Sequence, residues 1–338
     1  MTTPEASRAR RLWSGLAGPS WVFDPVGAGV RLPAVAVCLV VGLLSGHPLG
    51  GCLAAGGAFT CGFGAPLSLA GSRPLLLLAA SVLISLAAIT GSLAAHLLHG
   101  WPVALLIAAF GALCGWAVVR GPGPAWLSLQ AALAAIIATS YPAAFVPALA
   151  RAAVISLGGV VQALALMAAS LARWRSLPPS PPDPVEPSHA WRLAVALLLA
   201  ALVARFVSLR NGYWVPLTVL LVLRPDPQRT VTRLIARAAG TVVGALLASA
   251  IELFLRPSHD VLAALVVVAA FAAYLFQKAT YGLFSAAVTL YVVFMLSFLG
   301  LPEPTVALAR VLATVTGSVL AFLIVLAEKG LIGVRAKI

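Results

Sequence analysis

Three arginines mark the one strongly basic stripe in a very apolar chain. Arg229, Arg233 and Arg237 recur every fourth residue, a spacing that stacks their guanidinium groups on one face of an α-helix. At ~1.5 Å of rise per residue, Arg237 lies ~12 Å further along that helix than Arg229. Gly240, Thr241 and Gly244 continue nearly the same face. Arg151, Arg205 and Arg310 each stand alone inside other apolar runs. An ionised side chain within a bilayer is costly and normally faces a cavity, a partner or the interface. The planar guanidinium fork matches a carboxylate, so the chemistry on offer is recognition of anions.

Each candidate has a plainer reading beside it. Arg151 and Arg310 either flank a central pathway or extend along the apolar surface to the interface. Arg229 and Arg233 fit topological anchors, whereas Arg237, two turns further in, fits a cavity wall. Arg205 is placed to bind an anion or to pair with Glu252, the one carboxylate well inside an apolar segment. Glu252 is the first candidate for carrying a proton, with the outer interface as its alternative; Asp226 and His47 are the others. Asp226 followed by Pro227 also has the form of a helix N-cap. Its carboxylate is equally placed to meet Arg224 or Arg229 in a gate. Tyr213 and Trp214 either stack on an aromatic substrate or belong to an interfacial aromatic belt.

No Walker loop, nucleophile elbow, paired carboxylates or metal-ligand spacing occurs. The reading is therefore not an enzyme, with no cofactor and no metal. Cys38, Cys52, Cys61 and Cys114 all sit in apolar segments without a CxxC pair, as small core residues do.

These residues need a bilayer around them. Hydrophobic residues make up 62% of the chain and charged residues only 9%, against roughly 25% charged in soluble domains. The mean hydropathy is +1.05. Such a composition cannot cover a soluble globule. The net charge of +13 punctuates apolar runs instead of forming a groove-reading module, so nucleic acid is not an expected partner.

Apolar segments fall at about 30–46, 48–69, 74–98, 102–119, 125–140 and 145–172, then at about 191–209, 212–224, 230–255, 260–277, 281–299 and 304–327. Between the two sets, residues 176–190 form a proline-rich linker. The sets repeat. Ala148-Leu149-Ala150-Arg151 with Gly158 recurs as Ala307-Leu308-Ala309-Arg310 with Gly317, and Arg31-Leu32 recurs as Arg192-Leu193. The expected fold is an all-α integral membrane protein of about twelve transmembrane helices in two parallel six-helix repeats. The first spans 30–175 and the second 191–328, between a leader over 1–29 and a tail over 329–338. It is either a monomer around a pseudo-dimeric core or a homo-oligomer.

Basic loop residues concentrate on the side that holds both termini, which predicts cytoplasmic ends. Some helices are short or broken. The segment at 212–224 reaches only ~20 Å, below the ~30 Å of a hydrocarbon core. His47 to Gly64, at the matching place in the first set, contains six glycines. Breaks at corresponding places in two halves point to a transport site, and glycines alone also permit close helix packing.

The stretch 211–252 carries a resemblance. Tyr213-Trp214-x-Pro216-Leu217-Thr218, Leu223-Arg224-Pro225-Asp226, then Thr230, Arg233, Arg237 and Gly240-Thr241-x-x-Gly244 resemble the fusaric acid resistance protein-like family. That family overlaps the aromatic acid exporters and is related to the aluminium-activated malate transporters. The resemblance implies efflux of aromatic or other organic anions across the inner membrane, coupled to the proton gradient, and adds Thr218 to the pathway candidates. The alternatives are an anion channel and a membrane scaffold for envelope assembly. The first set lacks the Tyr-Trp-x-Pro and Arg-Pro-Asp signatures, so the halves are not equivalent.

Overall fold

A computed structural model describes residues 22–98, 100–170, 188–207, 211–301 and 303–335. Most of the leader, the proline-rich linker up to residue 187 and the last three residues of the tail lie outside these. Twelve helices follow in order: α1 (Pro25–Leu44), α2 (Pro48–Gly62), α3 (Arg73–Leu97), α4 (Trp101–Val118), α5 (Pro122–Ala138), α6 (Phe145–Ser170), α7 (Ser188–Phe206), α8 (Trp214–Val222), α9 (Pro227–Leu255), α10 (His259–Leu275), α11 (Tyr281–Phe298) and α12 (Glu303–Arg335). No strand occurs among the described residues.

The start signals are local. Proline occupies the first or second position of α1, α2, α3, α4, α5 and α9, where its missing N–H has no intrahelical acceptor to lose. Asp24, Ser72, Asp226 and Thr280 accept from the first-turn amides of Gly27, Leu75, Gln228 and Leu283, each such cap being worth about 1 kcal/mol. Asp226 is thus the N-cap that its place before Pro227 predicts.

Eight helices are long and apolar enough to cross a membrane, and α5 and α10 are shorter apolar helices. The large hydrophobics left exposed, such as Val40, Leu86, Leu157, Leu246 and Phe254, lie on the helix faces that lipid would cover. The molecule is an all-helical multi-pass membrane protein. Two of its twelve helices fall well short of a bilayer: α2 with 15 residues and α8 with nine.

Successive helices alternate in direction, giving a proximal end, where α1 begins, and a distal end. Contacts between remote segments agree with this. At the proximal end Lys278 meets Asp24, Gln277 donates to the Phe63 carbonyl and Arg192 pairs with Glu328.

Helix pairing falls into two sets. In the first half α1 packs on α2 and α6, α2 on α6, α3 on α5 and α6, and α4 on α5. In the second, α7 packs on α8 and α12, α8 on α12, α9 on α11 and α12, and α10 on α11. The halves meet chiefly where α4 lies along α7 and α10 along α1. Close approach in each half depends on glycine. A Cβ at Gly158 on α6 would collide with the Ala54 carbonyl of α2, and one at Gly317 on α12 would lie 2.8 Å from the Val215 carbonyl of α8.

Candidate functional site: a buried arginine ladder

The α8–α9 turn is the best-anchored polar feature of the second half. Thr230 Oγ1, one turn into α9, accepts from the Arg224 amide at 2.9 Å and lies 3.2 Å from the Arg224 carbonyl. Arg192, on the first turn of α7, donates to the carbonyls of Arg224 and Pro225. The same nitrogen, Nη2, lies 3.0 Å from His189 Nδ1, and Nη1 donates to both carboxylate oxygens of Glu328 at 2.9 Å. Side-chain and backbone bonds thus fix the Arg-Pro-Asp turn from three helices.

The arginine stripe of α9 runs inward from this turn. Arg229 is exposed and pairs loosely with Asp226 at 3.6 Å; Arg233 is half-buried; Arg237 is 3% exposed. Arg233 stacks on the Tyr281 ring, with its guanidinium carbon 3.8 Å from the centroid. Arg237 Nη1 donates to the Tyr281 hydroxyl at 3.4 Å. Arg224 lies within electrostatic range of the same tyrosine, so three guanidinium groups gather about one phenol, with Arg233 on its face and Arg237 at its hydroxyl. Burial, with Arg233 beside it, pushes the Arg224 guanidinium down to about 10.

Further in, Arg310 is 1% exposed and is among the largest fully buried side chains. Its Nε donates to Thr289 Oγ1 at 3.2 Å, and its guanidinium carbon lies 4.0 Å from the Trp214 ring centroid. Arg237 is near enough to repel it. Arg237 Nε and Arg310 Nη1 are buried without hydrogen-bond partners. Buried hydroxyls stand beside the pair: Ser285 donates to the Arg237 carbonyl, Thr241 lies 3.4 Å from Ser285, and Thr289 accepts from Arg310. Among the described residues no carboxylate ion-pairs with Arg237 or Arg310. Burying two like charges without a counter-ion costs several kcal/mol per ion even after relaxation.

Trp214 and Tyr213 carry the ladder to the distal end. Both are buried, which is a correction to the belt reading: α8 is enclosed at every position except Leu221, so its aromatics face protein. The Tyr213 hydroxyl is within hydrogen-bonding reach of Tyr141, whose carbonyl accepts from Arg151 at 2.8 Å. Arg151 also donates to Ser92 at 3.3 Å. Arg151 is thus held by groups of the first half and Arg310 by groups of the second, with Tyr141 and Tyr213 between them. Arg205 is exposed on the last turn of α7 and lies beside Gly100, so it is not a mid-helix interior charge.

Two openings flank α8. The distal one, ≈ 340 Å³, is lined by Gly100, Ile107, Thr139, Arg205, Tyr213 and Pro216. The proximal one, ≈ 240 Å³, is lined by Cys114, Trp126, His189, Leu220, Leu223 and Arg224. Residues 213, 216, 220, 223 and 224 share one side of a helix, so a single side of α8 faces both openings. The proposed proton carriers lie elsewhere: Asp226 is an exposed cap, His47 is exposed in the α1–α2 turn, and Glu252 is half-buried near the distal end of α9.

Tyr281, Thr289 and Ser285 escape a reading of sequence alone, because nothing in their local pattern distinguishes them from packing residues of an apolar helix. The one usable signal was Thr280 as a cap, which starts α11 beside the arginine stripe and points Tyr281 inward.

The class of protein is thus an all-helical membrane protein with uncompensated buried cations. Residues 188–324 match the family model described as fusaric acid resistance protein-like. The chain is 33% identical over 134 residues to the uncharacterized protein YhfK of Escherichia coli, covering 40% of this chain and 19% of that one. It is 30% identical over 134 residues to the inner membrane protein YccS of Escherichia coli, covering 40% and 18%. A Neisseria gonorrhoeae protein designated ORF2 is 28% identical over the same length, covering 40% and 32%. The matched part of the chain spans about a fifth of the first of these relatives. No solved structure matches the chain. The matched residues contain the whole arginine ladder, from Arg224 to Arg310.

Proposed function

We propose that the chain is a secondary transporter that moves organic anions out of the cell, through a pathway in its second half. The observation that carries this reading is the pair Arg237 and Arg310, both buried, with free donor nitrogens and no ion-pairing carboxylate among the described residues. Carboxylate-bearing aromatic or aliphatic substrates fit such donors. Trp214, Tyr213 and Thr218 supply ring faces and a hydroxyl beside them.

The architecture in this reading is two parallel six-helix repeats with α8 and α2 as the short members. It is supported by the like-for-like pairing of helices in the two halves and by the matched glycine contacts of Gly158 and Gly317. The name of the YccS relative supports an inner-membrane location. Arg73, Arg120, Arg224, Arg229, Arg233 and Lys278 cluster at the proximal end, which favours both termini in the cytoplasm. The repeats at 30–175 and 191–328 are then a scaffold half and a working half, since Arg151 donates to Tyr141 and Ser92 of its own half.

Purified protein in proteoliposomes, loaded with labelled benzoate or succinate, tests the proposal. Gradient-driven efflux that falls at least tenfold in Arg310→Gln and Arg237→Gln supports it. A folded protein that releases neither acid under any imposed gradient refutes it. A channel is the second reading, favoured by one observation: among the described residues the groups placed against the arginine pair are hydroxyls and rings, and none is a carboxylate or an imidazole. Currents that persist in Glu252→Gln without any proton gradient select the channel.

A further inference from the structure

We infer that the proximal mouth of the ladder is a site for a divalent phosphate-type oxyanion, formed by Arg224 and Arg233 with Tyr281 and with Arg237 behind it. Arg233 lies on the face of the Tyr281 ring and Arg237 donates to its hydroxyl, with Arg224 at the adjoining turn, and Nε of Arg224, Arg233 and Arg237 is in each case buried without a partner. Asp226, the carboxylate in this turn, points outward to Arg229. A carboxylate monoanion satisfies one guanidinium fork. A phosphate monoester presents three acceptor oxygens and a charge near −2, which suits a cluster of three guanidinium groups about one tyrosine.

The turn is built to hold this arrangement. Arg224 has both backbone groups tied to Thr230, and Arg192 clamps its carbonyl. Arg233 is fixed flat on the Tyr281 ring. The donors are therefore oriented before any ligand arrives, which reduces the ordering cost of binding. The site also lies where such a ligand occurs. At ~1.5 Å per residue the 29 residues of α9 run ~43 Å, beyond a ~30 Å hydrocarbon core. The first turns of α9 consequently reach headgroup depth, so both a free phosphate and a phosphomonoester lipid headgroup can approach.

The inference stands independently of transport, since binding at the mouth requires no flux. The test uses the full chain in nanodiscs of phosphatidylcholine, with its tryptophan fluorescence followed during heating. One arm titrates inorganic phosphate against chloride at matched ionic strength; the other replaces a fraction of the lipid with phosphatidic acid. Stabilisation by at least one arm, with apparent affinity at least tenfold weaker in Arg233→Gln and Arg224→Gln and unchanged in Arg229→Gln, supports the site. Response to phosphate identifies a soluble ligand, and response to phosphatidic acid alone a lipid. Should Arg224→Gln fail to fold, Arg233→Gln carries the test, because its half-exposed side chain has only the Tyr281 ring to lose. No stabilisation in either arm, or equal loss in Arg229→Gln, overturns the inference.

Discussion

Arg310 and Trp214 form a cation–π pair in the interior of the second half, 4.0 Å from guanidinium carbon to ring centroid. The ring face supplies part of the missing negative charge, and Thr289 supplies one acceptor. Neither is a full counter-ion. The pair therefore holds the Arg310 guanidinium in place without neutralising it, which is what the proposed anion pathway would need.

Replacing that charge separates stability from function. Arg310→Met removes a buried, unbalanced cation and fills similar volume, a change of a kind that is often neutral or stabilising by about 1–4 kcal/mol. The expected outcome is a melting temperature at or above that of the parent, with anion flux abolished. A melting temperature lowered by many degrees in this variant would mean that Arg310 serves packing.

The Arg192–Glu328 clamp gives the opposite signature. Losing Glu328 takes the carboxylate from a buried guanidinium, and losing Arg192 takes a donor from the Pro225 carbonyl and the partner from Glu328. Glu328→Gln should destabilise the protein by about 2 kcal/mol, measurable by thermal melting in detergent. Arg192→Gln should do at least as much.

Glycines divide by their surroundings. Gly158→Ala drives a methyl into the Ala54 carbonyl, and Gly240→Ala drives one into the Gly282 carbonyl with Ser285 Cβ 2.9 Å away. Each should cost about 1–3 kcal/mol by forcing helices apart. A Cβ on Gly56 or Gly29 meets nothing within 4 Å. Their alanine variants should be neutral or stabilised by up to about 1 kcal/mol. Equal effects at all four positions would contradict the packing described.

Acid should loosen the junction between α1 and α10. Burial alone would raise the Asp24 carboxyl, but the Gly27 amide, Lys278 and Arg31 outweigh it and hold it below the ordinary value of 3.8. A carboxyl lowered in the folded state contributes stability above that value and loses it as pH falls further, through its folded-state pKa. Asp24→Asn should therefore melt lower than the parent at neutral pH, with the difference narrowing below pH 3.8.

Much of this was legible in the chain. Composition required a bilayer, and apolar run lengths located twelve helices, because in lipid every backbone polar group must be bonded within a helix or barrel. The expected ends missed most at α2, which stops at Gly62, and at α12, which runs on to Arg335. Asp226-Pro227 announced its own cap. The four-residue spacing of Arg229, Arg233 and Arg237 put them on one face before any coordinates were known.

Side-chain environment was not legible. Arg192 and Arg31 occupy matching places at the starts of α7 and α1, yet Arg192 clamps a turn and Glu328 in its own half while Arg31 reaches Gln277 in the other. Arg205 and Arg310 look alike as single arginines in apolar runs, yet one is exposed and the other is sealed against Trp214. Periodicity is a property of one helix and is written in its residues. Whether a face meets lipid, a cavity or another helix depends on partners hundreds of residues away, and only the tertiary structure decides it.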